Sequence, residues 1–162
     1  MASETLHIQF ERFNDLDEMP KDLQPLVVAA RKATADAYAP YSLFHVSAAA
    51  IMGGKIITAT NQENASYPVT LCAERTLLSV LTTQFAGKQT EAIAICYHNK
   101  REGANNSRPI SPCGLCRQSL LEYEQRNKKN IKVLLTAQSG EIIVLQSIRD
   151  LLPFSFSTEY FV

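Results

Sequence analysis

The chain has no excess of charge of either sign, because sixteen lysines and arginines balance sixteen aspartates and glutamates. Polynucleotide binding draws most of its affinity from cations placed against phosphates, so we expect no nucleic acid polymer as a partner. Glycine and proline are scarce, at 6 and 7 of 162 residues, which excludes fibrous and low-complexity proteins. A hydrophobic content of 46% is that of a globular protein, and this length favours a single domain over residues 1–162.

Long apolar runs are absent as well. The unbroken runs are only a few residues long, such as 26–30 and 142–145, whereas a helix that crosses a bilayer needs about 20 apolar residues. We therefore expect no membrane partner. Residues 1–10 lack the basic and apolar regions of a secretory signal, so a cytoplasmic localisation is expected. In that compartment the four cysteines would be thiols or metal ligands rather than disulfides.

Apolar periodicity predicts alternating helices and strands. The last two predicted strands are joined by only four residues, too few for a crossover between parallel neighbours, so they must pair antiparallel. Residues 1–20 form an acidic N-terminal arm of unknown role. Their weak apolar pattern is equally compatible with an edge strand of the sheet and with an ordered segment outside it. Helical spacing covers residues 23–38, 72–85 and 111–126, and strand patterns cover residues 43–50, 55–60, 92–97, 131–136 and 141–146.

Two cysteine motifs open two of the predicted helices. Cys72 and Glu74 begin one, and Cys113 and Cys116 lie in the first turn of the other. Three thiolates leave the fourth position of a tetrahedral Zn²⁺ free for water, which is typical of a catalytic rather than a structural site. Both helix N-termini direct partial positive charge at the sulfurs and lower the pKa of the thiols. A dithiol oxidoreductase acting through Cys113 and Cys116 stays open as another interpretation.

The motifs resemble the signature of zinc nucleobase deaminases. The resemblance narrows to the small cytidine deaminase family over residues 37–44, 61–68, 72–75 and 111–118, and extends to 151–153. It implies a three-layer α/β/α cytidine-deaminase-like fold with a mixed five-stranded sheet and one zinc ion per chain. The short hairpin at 131–146 favours the nucleoside branch, because relatives that act on tRNA or single-stranded DNA insert a helix there.

The resemblance also implies the chemistry of the metal site. Cys72, Cys113 and Cys116 would hold the zinc ion, whose bound water attacks C4 of the pyrimidine. Glu74 would take the water proton and deliver it to ring N3, and would then help move a second proton to the departing amino group. Arg75 would hydrogen-bond the ligand sulfurs and withdraw charge from the metal.

Substrate contacts follow from the same resemblance. Phe44 would meet the base edge to face, Asn61 and Glu63 would hold the ribose 3′-hydroxyl, and the backbone N–H of Ala73 would meet the pyrimidine carbonyl. In the family, positions matching three further residues reach into a neighbouring subunit's pocket within a homotetramer, so that active sites are shared. In this chain those residues are Ala65, Tyr67 and Phe156.

The implied activity is hydrolytic deamination of cytidine and deoxycytidine for pyrimidine salvage. A deaminase of a modified cytosine nucleoside of the blasticidin type and a non-catalytic zinc-binding scaffold are the alternatives. The chain has Ser47, Thr70 and Ser157 where the family usually has glycine, and these differences leave the details of the substrate open. The preference between ribose and deoxyribose is open because the implied contact is to the 3′-hydroxyl, which both sugars carry.

Overall fold

A six-stranded sheet forms the centre of the protein, and the computed structural model describes residues 1–161. The strands lie in the order β1-β6-β5-β4-β2-β3. The strands are β1 (Phe10–Phe13), β2 (Phe44–Met52), β3 (Lys55–Thr60), β4 (Ala92–Asn99), β5 (Lys132–Leu135) and β6 (Ile142–Leu145), and the helices are α1 (Gln24–Ala33), α2 (Ala73–Gln84) and α3 (Gly114–Asn127).

The sheet is mixed, as predicted. β2 pairs antiparallel with both β3 and β4, and β4 pairs parallel with β5. β5 and β6 pair antiparallel, which confirms the prediction made from their short connection. The turn between them leaves no room for an inserted helix.

The predicted count of five strands is wrong, because β1 adds a sixth at the edge of the sheet. β1 pairs antiparallel with β6, from Phe10 opposite Leu145 to Phe13 opposite Ile142. The four residues of β1 carry two charges and little alternation, so sequence periodicity did not single them out. Pairing satisfies backbone groups of β6 that would otherwise form an open edge. An ion pair of 2.8 Å between Arg12 and Glu141 accompanies it.

Helices cover both faces of the sheet and complete the three predicted layers. On one face α1 buries Leu26 and Val27 against Ala49 and Ala94. On the other face α2 and α3 pack against the alternate residues of the same strands, including Ile95. The central strands are therefore apolar on both sides, as expected for a sheet between two helical layers.

Two helix boundaries differ from the sequence prediction. The first helix ends at Ala33, followed by a 3-10 turn over Thr34–Asp36, and Tyr38 instead bridges to Gln62. The third helix begins at Gly114 rather than directly after Ser111. The hydroxyl of Ser111 accepts a hydrogen bond from Arg117, so it does not cap the helix.

Across residues 1–161, every helix is too short or too polar to cross a bilayer.

Candidate metal centre and active site

The first turns of α2 and α3 bring three sulfur atoms together. Cys72 is the N-cap of α2, Cys113 is the N-cap of α3, and Cys116 lies in the first turn of α3. Their sulfurs all lie within 4.8 Å of one another. Tetrahedral zinc with Zn–S bonds near 2.3 Å requires sulfur separations of about 3.8 Å, so the arrangement fits this ion with small side-chain adjustments.

The local backbone leaves these sulfurs available to a cation. Neither Cys72 nor Cys113 uses its side chain to cap its helix. The backbone N–H and the hydroxyl of Thr76 both donate to the carbonyl of Cys72, which fixes the residue through its main chain. The sulfurs therefore face the partial positive charge of two helix N-termini, which stabilises thiolates.

Hydrogen bonds among the thiols shift their pKa values in opposite directions. The Cys116 thiol donates to Cys72, and this is the main reason that the pKa of Cys72 is lowered to about 6. The same hydrogen bond, together with burial and the charge of Glu74, raises the pKa of Cys116. A divalent cation would replace these shared protons, since metal binding to thiols releases them.

Glu74 is the second residue of α2, and its side chain is only 5% exposed. Burial raises the pKa of its carboxyl group above the ordinary value. A carboxylic acid with a raised pKa, next to a metal site, is suited to taking and giving a proton. Glu74 lines a cavity of about 220 Å³ with Asn61, Glu63, Cys72 and Cys113.

Two polar side chains, Asn61 and Glu63, also line this cavity. The amide of Asn61 donates to the Phe44 carbonyl at 3.0 Å and accepts from the Val46 N–H at 2.8 Å. One oxygen of Glu63 accepts from the backbone N–H groups of Tyr41 and Ser42. Both side chains thus brace the start of β2. Each keeps capacity for a ligand, because an amide has a second N–H and the other carboxylate oxygen of Glu63 is free.

The carboxylate of Glu63 is stabilised in its charged form. Partial burial favours the neutral form, but hydrogen bonds from the Ser42 side chain and from the backbone of Tyr41 and Ser42 outweigh it, so the pKa of Glu63 is lowered. Glu63 therefore offers an anionic acceptor to a hydroxyl group.

Two of the predicted residues lie beside the cavity rather than on its wall. Phe44 stacks on Tyr97 with ring centroids 5.0 Å apart, and both line an adjoining cavity that shares Ile110 with the first. The charge of Arg75 lowers the pKa of Cys72. Within residues 1–161, however, the guanidinium of Arg75 forms no hydrogen bond with the sulfurs. Ala73 is fully buried at the start of α2 and does line the cavity.

Three predicted residues lie on the surface of the chain, away from the cavity wall. Tyr67 is 70% exposed, and its ring packs against that of Tyr41 in a T-shaped arrangement with the ring centroids 6.0 Å apart. Phe156 is 59% exposed, in the C-terminal segment, where it stacks on Tyr160. Ala65 is also exposed. A single chain does not bring these residues to Glu74.

Two residues that differ from the family pattern have clear positions. Thr70 lines the cavity, and its hydroxyl accepts a hydrogen bond from the Asn64 N–H at 3.2 Å. Ser47 is buried on the opposite face of the sheet, where its hydroxyl donates to the carbonyl of Ala30 in α1. Thr70 therefore belongs to the site, whereas Ser47 belongs to the packing of α1.

Sequence reasoning gave no role to Arg117, whose side chain reaches back toward Cys113. Its Nε atom donates to the carbonyl of Pro112 at 2.8 Å. The only sequence signal is an arginine directly after Cys116 in the first helical turn, from which a long side chain can reach the preceding segment.

Comparison with known proteins agrees with this geometry. A family model described as the cytidine and deoxycytidylate deaminase zinc-binding region matches residues 20–131. A cytidine deaminase of Halalkalibacterium halodurans is 38% identical over 139 residues, which are 85% of this chain and 96% of the relative. A cytidine deaminase of Sporosarcina psychrophila is 34% identical over 139 residues, 85% of this chain and 93% of the relative.

A solved structure agrees as well. The crystal structure of cytidine deaminase from Burkholderia pseudomallei has a TM-score of 0.68 and 39% identity, over 85% of this chain and 100% of that one. The region matched by the family model contains all three cysteines of the cluster. Its description as a zinc-binding region fits these three sulfur donors. The family match and the three clustered cysteines together show that the chain belongs to the cytidine and deoxycytidylate deaminase family and binds one zinc ion.

Proposed function

We propose that this chain catalyses the hydrolytic deamination of cytidine and deoxycytidine to uridine and deoxyuridine, with release of ammonia. One observation carries the proposal: Cys72 and Cys113, two of the three clustered cysteines, line one cavity together with the buried Glu74 and the polar side chains of Asn61 and Glu63. Relatives named cytidine deaminase cover 85% of the chain at 34 to 38% identity. The activity follows from this likeness and from the chemistry of the site.

Glu74 moves the protons of the reaction. Bound zinc supplies a Lewis acid that makes water nucleophilic near neutral pH. As the water oxygen bonds to C4 of the pyrimidine, Glu74 takes its proton and delivers it to ring N3. Glu74 then moves a proton to the amino group, and the C4–N bond breaks to release ammonia. Its raised pKa suits a group that both takes and gives protons.

The base is oriented by the start of α2 and by β2. The N–H of Ala73 is among the first of the helix and has no partner within it, so it is free to donate to the pyrimidine carbonyl. Phe44 contacts the base with the edge of its ring, and the stacked Tyr97 supports it. These contacts hold C4 next to the sulfur ligands.

The sugar binds where Asn61 and Glu63 line the cavity. Asn61 donates its second amide hydrogen to the 3′-hydroxyl, and the free oxygen of Glu63 accepts from it. The lowered pKa of Glu63 supports this role, because an anionic acceptor makes a stronger hydrogen bond. Arg75 moderates the charge of the ligand sulfurs, as supported by its effect on the pKa of Cys72.

The chain assembles into a homotetramer in which active sites are shared. Ala65, Tyr67 and Phe156 are exposed in the single chain, so they are available to a neighbouring subunit's pocket. Further large apolar side chains are exposed, among them Leu71 in the cavity lining, and exposed apolar surface is typical of interfaces. The large exposed side chains include Tyr38, Tyr41, Leu43, Tyr67, Val69, Leu71 and Leu115.

Residues 1–162 act as a single domain, in which the arm at residues 1–20 closes the edge of the sheet through β1. The enzyme works in the cytoplasm in pyrimidine salvage. Its neutral net charge suits a nucleoside substrate without phosphates.

Zinc-loaded protein mixed with cytidine tests the proposal. We expect the absorbance spectrum to change from that of cytidine to that of uridine, with one ammonia released per uridine formed. Deoxycytidine should react as well. A zinc-loaded sample that leaves both nucleosides unchanged, or that deaminates only a blasticidin-type nucleoside, would contradict the proposal.

A further inference from the structure

Arg117 forms three hydrogen bonds beside the metal centre, and none of them involves a sulfur. Nε donates to the carbonyl of Pro112 at 2.8 Å, and Nη2 donates to the hydroxyl of Ser111 at 2.9 Å. Nη1 donates to the carbonyl of Leu151 at 3.0 Å. One guanidinium thus joins the segment before α3 to the end of the 3-10 turn Ile148–Leu151.

The segment held in this way carries a metal ligand, Cys113, whose carbonyl accepts from the backbone N–H of Arg117 at 2.9 Å but whose preceding residues have few other contacts. Cys113 is exposed, and its backbone is extended, with φ −66° and ψ 166°. Before it, the nearest main-chain hydrogen bond from the segment to the sheet is a long one, from Ile110 N–H to Thr136 O at 3.4 Å. Cys116, in contrast, is buried within a helical turn.

The chemistry of these contacts requires arginine. Three acceptors on different sides of one side chain match the planar, forked guanidinium, and a lysine ammonium cannot reach all three at once. Charged donors also form stronger hydrogen bonds than neutral ones. Arg117 therefore fixes the direction in which the chain enters α3.

We infer that Arg117 is a positioning residue for the metal centre. It holds Cys113 where its sulfur shares one cation with Cys72 and Cys116. The inference rests on the proposed function only in taking this cluster as the zinc site of the enzyme. Arg117 acts through Ser111 and Pro112 and contacts neither the substrate nor the metal.

Arg117→Gln and Arg117→Lys test the inference, with Arg126→Gln as the matched control. Arg126 lies on the same helix, exposed in its last turn, far from the sulfurs in sequence. Zinc affinity is measured by competition with a chromogenic chelator, and cobalt-substituted protein reports the sulfur-to-metal charge-transfer band. For Arg117→Gln we expect zinc affinity to fall by about 10- to 100-fold and the cobalt band to change.

The steady-state constants of the zinc-loaded variants give a second readout. We expect kcat to fall while KM stays within about threefold, since the ligand is displaced but the sugar contacts are intact. Arg117→Lys should recover part of the zinc affinity, and Arg126→Gln should match the unmodified protein. If Arg117→Gln kept the zinc affinity and the cobalt spectrum of Arg126→Gln and lost only thermal stability, the inference would be wrong.

Ser111→Ala keeps the inference testable if Arg117→Gln does not fold. This change removes one acceptor and should weaken zinc binding by a smaller factor than Arg117→Gln, about 3-fold or more; unchanged binding would contradict the inference. This outcome can be told apart from a failure of the proposed function. If the unmodified protein bound zinc but did not deaminate cytidine, the zinc affinities and cobalt spectra of the variants could still be compared.

Discussion

Glu74 is buried and also lines the cavity, and its hydrogen bonds are to its own backbone N–H and to Cys116. A buried carboxyl group without a countercharge is costly to keep in a core, where charged groups are normally paired. Glu74 is only 5% exposed, and the space in front of it is the cavity. Its placement is understandable if the group serves chemistry rather than packing.

Glu74→Gln should separate proton transfer from metal binding. The amide keeps the size of the side chain but does not accept a proton, so we expect kcat to fall by about 10²- to 10⁴-fold. Zinc content and the unfolding midpoint should stay close to those of the unmodified protein, because Glu74 is not a ligand. Steady-state rates and metal analysis of the same sample measure both. Residual activity within tenfold of the original would contradict the assignment.

The cysteines should differ in reactivity once zinc is removed. Cys113 is exposed and Cys72 has a pKa of about 6, whereas burial raises the pKa of Cys96 to about 12. After treatment with a chelator at pH 7.5, we expect iodoacetamide to modify Cys113 and Cys72 while Cys96 stays unmodified, since the thiolate is the reactive form. Zinc-loaded protein should be protected at Cys72 and Cys113 as well. Peptide mass spectrometry measures this, and equal labelling with and without zinc would count against a metal site.

At the residue scale, the sequence predicted that the three cysteines would cluster but not the contacts that support the site. Cys113 and Cys116 share one helical turn, so their proximity is local, whereas the place of Cys72 beside them was implied by the resemblance to a known family. The bracing roles of Asn61 and Glu63 depend on carbonyl and N–H groups of β2 and of the turn before it, which are 15 to 22 residues away. Arg117 likewise contacts Leu151, 34 residues later. Such contacts follow from the tertiary structure alone.

The C-terminal half of α3 is joined to two other elements by Glu124. Its buried carboxylate accepts hydrogen bonds from the backbone N–H of Ile131 at 2.7 Å and of Ile148 at 3.0 Å. The other oxygen accepts from the hydroxyl of Ser147 at 2.7 Å. The helix is thereby fixed to the start of β5 and to the 3-10 turn after β6.

Glu124→Gln should lower stability without altering the site directly. The amide oxygen can still accept from the two backbone N–H groups, but the amide nitrogen then faces the Ser147 hydroxyl, which has to turn from donor to acceptor, and the negative charge that strengthens all three hydrogen bonds is lost, so we expect a loss of about 1.5 kcal/mol in the free energy of unfolding. The control is Glu122→Gln on the same helix, a side chain that makes no hydrogen bond within residues 1–161. Urea unfolding measures both variants. A loss for Glu124→Gln no greater than that of the control would show that the three hydrogen bonds contribute little.

At the element scale, the long periodic segments were predictable and the short ones were not. α1, α2 and the central strands have clear apolar patterns, and the hairpin of β5 and β6 follows from its short connection. β1 has only four residues, and it becomes a strand because β6 offers it an unpaired edge. The helix α3 begins at Gly114, with Cys113 as its N-cap residue, so the helix starts later than the helical spacing from residue 111 predicted.

At the scale of the whole molecule, large aromatic side chains are exposed on the surface of the single chain. Tyr67 and Phe156 expose most of their rings to solvent in the single chain. Large exposed aromatic side chains are unfavourable unless another surface covers them. The proposed tetramer explains their exposure and the absence of Ala65, Tyr67 and Phe156 from the cavity of the same chain.

Tyr67→Asp should weaken the assembly while leaving the fold of each chain intact. The side chain is 70% exposed, so the change should alter monomer stability by no more than about 0.5 kcal/mol. We expect sedimentation to show smaller species, and specific activity to rise with protein concentration. Leu6→Asp, at an exposed position in the N-terminal arm, is the control. Unmodified protein that sediments as a monomer, or a variant that stays a tetramer at full activity, would contradict the shared site.

Cytidine turnover measured as zinc is added back to chelator-treated protein tests the central claim most directly. The rate of uridine formation should rise in proportion to bound zinc and reach its plateau at one zinc ion per chain. Turnover that does not depend on zinc, or protein that holds one zinc ion per chain and forms no uridine, would show that the three cysteines and Glu74 do not form a deaminase centre.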